Sequence, residues 1–190
     1  MKLLLASKSP RRRELLSKLG FPIEFVDIDV DELIDSPLPP YAVAEHMACR
    51  KADAYPVSNL NDDAVLVTAD TIVVHRDQIL GKPHSRDEAI SMLRSLADDR
   101  HTVYTGVCLR SRTDAISFTE STDVIFNPLT DADIEYYVDT YRPYDKAGAY
   151  GIQEWIGMVG IKAIEGCYYN VVGLPVATLY DNLRKRFLSN

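Results

Sequence analysis

No stretch of this sequence approaches the roughly 18 apolar residues that a membrane-spanning helix requires, which excludes a helical membrane protein. Cysteine is scarce: Cys49, Cys108 and Cys167 are widely spaced and form no CxxC or Cys/His cluster. A disulfide framework or a zinc site is therefore excluded, and the three read as small buried hydrophobes of a reduced protein. Basic charge is also short, with 21 Lys and Arg against 28 Asp and Glu and a net charge of -7. General nucleic-acid binding draws its affinity from many cationic contacts to phosphate, so a nucleic-acid partner is not expected. Several nucleotide and hydrolase signatures are missing as well: GxxxxGK[ST], GxGxxG after the first strand, HExxH and GxSxG. The four histidines (His46, His75, His84, His101) have no metal-ligand spacing and read mostly as surface residues. The apolar run before Ser7 is too short for a signal peptide, so the expected location is the cytoplasm.

What is present suits one compact domain over residues 1–190. With 46% hydrophobic residues, a chain of this length can bury roughly 70% of its unfolded surface and needs no covalent staples. Lys2–Ala6 reads as a short buried strand, followed by a helix with Ser9 as N-cap, Pro10 at its first position and Gly20 closing it. A second strand is expected at Ile23–Val26, an acidic Pro-rich loop from Asp27 to Pro40, and a helix from Tyr41 to Ala54. Val65–Ala69 reads as an apolar strand stopping at Asp70-Thr71. Ile72–His75 and Gln78–Leu80 read as a hairpin around Arg76-Asp77. Ser85 and Glu88 have capping-box spacing, and so do Thr130 and Asp133. Thr102–Arg110 and Ala115–Phe126 are β-rich runs that predict an antiparallel pair. Gly160–Ile164 and Tyr168–Val172 predict another hairpin, and Pro175 opens a terminal helix. Helices interleaved with hairpins predict an α/β fold with a mixed sheet and flanking helices.

Four places offer chemistry. Ser9-Pro10-Arg11-Arg12-Arg13 puts three arginines in the first turn of a helix, where positive charge opposes the macrodipole. Such a local conflict is expected at functional sites. Free N–H groups, dipole and guanidinium forks together suit phosphate, with two arginines facing a ligand and Arg13 solvated. Asp70, at the end of an apolar strand, is placed to hold a cation on phosphate oxygens or to orient a water. Lys82, between Gly81 and Pro83, and Lys51, beside Arg50, offer point charges for phosphate. In Asp145–Gln153, small residues allow close backbone approach, Tyr150 can stack on a base, and Gln153 can pair with an imide or amide edge.

In order along the chain, Leu4-Ala6-Ser7, Ser9–Arg12, Ala69-Asp70-Thr71, Gly81-Lys82-Pro83, Asp145–Gln153 and Val172–Pro175 closely resemble the Maf family of nucleotide pyrophosphatases. The set is specific where no single motif is. The resemblance implies an inosine triphosphate pyrophosphatase-like fold with two lobes around a cleft, a divalent cation (Mg or Mn), and a homodimer. It maps the family's proton acceptor onto Asp70 and its specificity positions onto Arg11, Thr71 and Gln153. Further contacts fall at Ser7, Arg12, Glu32, Lys51 and Lys82, with Asp70 and Glu32 as metal carboxylates and Lys82 in the catalytic set. The Ala-Tyr-Gly-Ile-Gln segment is similar to the branch acting on dTTP and UTP. The expected activity is hydrolysis of these to the monophosphate and pyrophosphate, a house-cleaning role. The alternative is a nucleotide-binding regulator of septum formation without significant turnover. Glu154-Trp155-Ile156-Gly157 departs from the Gly-rich turn that many relatives carry after the glutamine.

Overall fold

In a computed structural model, which describes residues 1–30 and 38–188, a seven-stranded mixed sheet carries helices along its length. Its order is β2-β1-β3-β5-β6-β7, with β4 also pairing with β3. The strands are β1 (Lys2–Leu5), β2 (Ile23–Phe25), β3 (Ala64–His75), β4 (Gln78–Leu80), β5 (Arg100–Arg110), β6 (Ala115–Phe126) and β7 (Ile161–Glu165). β1 pairs in parallel with β2 and β3, whereas β3–β4 and β6–β7 are antiparallel. β5 and β6 are neighbours joined by four residues, a link far too short for a parallel crossover. The mixed α/β sheet expected from the sequence is the one observed.

The chain divides into two compact units. The first comprises Met1–Asp70, Thr105–Glu120 and Gly173–Asn190. It holds β1, β2, α1 (Pro10–Ser17), α2 (Pro40–Asp53) and α7 (Val176–Phe187). Its core joins Leu4, Ala64 and Leu66 from strands, and Ala6 just after β1, to Ala48 and Ala52 from α2. The small residues let helix and strand approach closely. At Gly106 on β5, an added Cβ would lie 2.2 Å from the backbone nitrogen of Glu45, so only glycine fits beneath α2. Ser9 caps α1 through its side chain and Pro10 begins it, as its residue types require.

The second unit comprises Thr71–Tyr104 and Ser121–Val172. It contains β4, β7, α3 (Arg86–Leu96), α4 (Asp131–Tyr141), α5 (Trp155–Val159) and α6 (Tyr168–Val172). Thr130 and Asp133 form the expected capping box. Ser85 caps α3, but the Glu88 carboxylate turns to the backbone N–H of His84 instead of closing a box on Ser85.

Four expectations are corrected. β3 does not stop at Asp70: it runs on to His75 because the apolar run resumes at Ile72, and β4 pairs with its far end. Tyr168–Val172 is a helix, not a strand. Asn170 is buried, and its amide donates to the Val103 carbonyl and the Thr122 hydroxyl, contacts that override the β-propensity of Tyr and Val. His75 and His101 are buried, not at the surface: His75 Nε2 meets Asp99 Oδ2 at 2.9 Å and His101 Nε2 meets the Tyr150 hydroxyl at 2.7 Å. Cys49 and Cys167 are only half-buried, unlike Cys108, and Cys49 meets Cys108 between α2 and β5.

Candidate functional site

Within the first unit, parallel strands in the order β2-β1-β3 place β1 at a topological switch point, where α/β sheets open a crevice beyond the strands' carboxyl ends. Ser7 to Arg13 leave β1 at that end. Ser7 Oγ accepts the Ser9 N–H at 3.2 Å, and Ser9 Oγ in turn accepts the Arg12 N–H. No acidic residue offsets the three arginines in the first turn of α1.

The arginines divide differently from the sequence expectation. Arg12 Nε donates to the Gly173 carbonyl at 2.8 Å and Nη1 to the Ala69 carbonyl at 2.9 Å. One guanidinium thus ties α1 to the strand residue next to Asp70 and to the Gly173-Leu174-Pro175 turn. Arg13 is not solvated: its Nε donates to the Ser7 carbonyl at 2.9 Å and its guanidinium lies over the Phe25 ring at 4.7 Å. The hydrogen bond braces the backbone at Ser7, and the cation–π contact holds the guanidinium in place. Arg11 is half-buried.

β3 is buried along its whole length except at Asp70 and Thr71, which are half-buried. β1 pairs with β3 as far as Val67 and β4 pairs from Val73, so Thr68–Ile72 lies outside both ladders. The Ala69 carbonyl there is satisfied by Arg12. Thr68 and Asp70, two apart on one pleat face, both meet α2. Thr68 Oγ1 donates to the Ala48 carbonyl at 2.7 Å, and Asp70 Oδ1 accepts from Lys51 Nζ at 2.5 Å. The Lys51 and Asp70 side chains are 17% and 19% exposed, so solvent screens this ion pair only partly.

Within the second unit, Lys82 is exposed just after β4, and Pro83 beside it is buried. The Gly148 N–H donates to the Gly81 carbonyl at 3.0 Å, which brings the Asp145–Gln153 segment against the residue preceding Lys82. Gly148 has φ +67°, and a Cβ there would press on Val73. Thr71 is half-buried and Gln153 is exposed. Tyr150 does not face a ligand. Its ring is buried, packs edge-on against His101 and Phe126, and carries a hydroxyl whose ionisation burial pushes far up. Sequence reasoning also missed Lys146, Glu154 and Tyr137. Lys146 Nζ lies 2.7 Å from Asp145 Oδ1 and 3.1 Å from Glu154 Oε1, and the Tyr137 hydroxyl donates to the Glu154 carboxylate. The only sequence signal was negative: a lysine and a glutamate in an otherwise small-residue loop.

Glu32 lies outside the described residues. Among the described residues, no three His, Cys, Asp or Glu side chains gather as a metal cage. A lone carboxylate such as Asp70 fits a cation of the Mg type, which keeps waters and is commonly held by one or two carboxylates plus substrate phosphates.

A carboxylate–lysine pair and an arginine-led helix start lie at the switch point of a mixed α/β sheet, an arrangement suited to binding phosphate. The chain belongs to the Maf-like protein family, whose model matches residues 2–186. It is 48% identical over 184 residues to a dTTP/UTP pyrophosphatase of Bacteroides thetaiotaomicron, covering 96% of this chain and 95% of that one. A dTTP/UTP pyrophosphatase of Porphyromonas gingivalis is 47% identical over 185 residues, with 96% and 93% covered. One from Christiangramia forsetii is 40% identical over 183 residues, with the same coverage of 96% and 93%. Among solved structures, the Staphylococcus aureus Ham1 protein is similar at a TM-score of 0.47 and 13% identity, covering 66% of this chain and 72% of that one.

Proposed function

We propose that this protein hydrolyses dTTP and UTP to the monophosphate and pyrophosphate. The observation that carries the reading is the Lys51–Asp70 pair on β3 and α2, next to an arginine anchored on the neighbouring Ala69 carbonyl. The likeness to relatives named dTTP/UTP pyrophosphatase, at up to 48% identity over 96% of the chain, supports the substrate.

In this reading, Ser7, Arg11, Arg12, Lys51 and Lys82 take the phosphates, and Thr71 and Gln153 favour a pyrimidine bearing an imide edge. Asp70 orients a water and accepts its proton as the oxygen attacks the α-phosphorus. The bond from that phosphorus to the bridging oxygen breaks, and pyrophosphate leaves with the electron pair. Fixed cations stabilise the charge that develops, normally the larger share of such catalysis. A divalent cation, Mg or Mn, would be held by Asp70 and Glu32 and would neutralise phosphate charge when bound. A homodimer and a cytoplasmic location complete the proposal, the first measurable by light scattering. No helix among the described residues is long and apolar enough to cross a membrane.

The test is pyrophosphate release from a panel of nucleoside triphosphates with Mg or Mn. Wild type is expected to prefer dTTP and UTP, and Asp70→Asn to lose at least about 100-fold in turnover while melting as the wild type does. Near-normal release by that variant overturns the role of Asp70. Binding without turnover on the whole panel would favour a nucleotide-sensing regulator instead.

A further inference from the structure

Gln153 is exposed, yet the turn that carries it is held at every other position. The Glu154 N–H donates to the Gly151 carbonyl at 3.0 Å, closing Gly151–Glu154 as a β-turn with Gln153 in its third place. The Gly151 N–H donates to the Tyr137 hydroxyl at 2.9 Å. That hydroxyl donates onward to the Glu154 carboxylate, whose other oxygen lies 3.1 Å from Lys146 Nζ. Ile152 is buried, and its carbonyl abuts α5 so closely that a Cβ on Gly157 would stand 1.8 Å from the oxygen. A Cβ on Gly151 would meet the Glu154 carboxylate and Lys146 at 2.9–3.0 Å. Tyr137 itself is wholly buried on α4 and stacked on Tyr141 at 5.1 Å.

We infer that Tyr137 and Glu154 are positioning residues for base selection, holding the Gly151–Glu154 turn so that Gln153 is offered to the nucleobase from one fixed place. The inference rests on the pyrophosphatase reading of the site. An amide side chain on a mobile loop can follow many base edges, whereas one on an immobilised turn meets only a base that brings its donor and acceptor to that place. Tyr137 is suited to the task because its hydroxyl is both acceptor and donor, and the ring has only two torsions to lose. The half-buried Glu154 carboxylate is held from its other side by the Lys146 ammonium, 3.1 Å away. Directly after Gln153 the chain has Glu154 and the short helix α5, which continue the constrained path.

The test compares kcat/KM for UTP with that for a purine nucleoside triphosphate in wild type, Tyr137→Phe and Glu154→Gln, alongside thermal melts. Tyr137→Phe is expected to reduce the UTP-to-purine ratio about tenfold, mainly through KM for UTP, with kcat within about threefold, the scale of one lost hydrogen bond. Glu154→Gln retains an acceptor for the Tyr137 hydroxyl and is expected to keep most of the ratio. If Tyr137→Phe fails to fold, the ratio is read from Glu154→Ala, which frees the same hydroxyl. An unchanged ratio in the folded variant, or equal losses on all substrates, overturns the positioning role. Absence of turnover by wild type instead overturns the pyrophosphatase reading, so the two failures are distinct.

Discussion

At the scale of residues, Cys49 shows how much a single contact can alter. The Cys108 thiol donates to it, and this stabilises the thiolate enough to bring Cys49 down to about 7, while Cys108 is driven up. Cys49 is half-buried, so a small electrophile can reach it. Alkylation by iodoacetamide, followed by mass spectrometry across pH, is expected to show Cys49 reacting with a midpoint near 7. Cys108→Ala should return that midpoint toward the ordinary thiol value of about 8.5. A wild-type midpoint already at the ordinary value would contradict the contact. Nothing in the sequence announced this pair, because its members are 59 residues apart in chain number and lie on a helix and a strand. The same holds for Tyr137 with Gly151 and Glu154. Asp70 and the arginines of α1 were legible because each breaks a local rule: a carboxylate within an apolar run, and cations at a positive helix end. What the sequence could not show was the division of labour among the arginines, which depends on the carbonyls of Ala69, Gly173 and Ser7.

At the scale of elements, the docking of α2 on β3 and β5 decides where Lys51 stands. The Thr68 hydroxyl on the Ala48 carbonyl fixes the helix one turn before Lys51, and Gly106 allows the helix backbone to come down onto β5. Gly106→Ala would thrust a methyl group into the backbone at Glu45. A backbone obstacle cannot rotate away, so a loss of about 2 kcal/mol or more is expected in urea denaturation, with poorer turnover as Lys51 shifts. A variant as stable as wild type would show that α2 can slide without cost. Element types were legible where period and caps agreed, as in α3, α4 and α7. They failed where a few residues were governed from a distance. α5 is five residues long and α6 likewise, too short for a helical period to declare itself. At Asp70, the local preference of Asp against strands lost to the ladder that continues on either side.

At the scale of the whole molecule, buried histidine sets an acid limit. Burial, with His75 nearby, pulls His101 down to about 4, so the folded protein holds it neutral where the unfolded chain would protonate it. The unfolded state then binds more protons between the ordinary value of 6.5 and about 4. Stability is therefore fully present above that window and falls as pH drops through it, by an amount of order 3 kcal/mol. Asp99, held well below the usual carboxylate range by His75, the Arg100 N–H and Arg76, extends the loss to still lower pH. Urea midpoints measured from pH 7.5 to 4 are expected to decline, and His101→Gln should flatten the slope between those limits. An unchanged slope in that variant would assign the acid sensitivity elsewhere.

The Lys51–Asp70 pair has one more consequence. The Asp70 carboxylate shares the Lys51 ammonium, which in the proposed reading a triphosphate would claim. In the proposed reading, arrival of the polyanion would be a counter-ion exchange: Lys51 would turn from Asp70 to phosphate and uncover the carboxylate. Departure of pyrophosphate would reverse the exchange, so each turnover would end with the proposed base covered again. An inert polyphosphate that occupies Lys51 should accordingly both exclude substrate and leave Asp70 without its lysine.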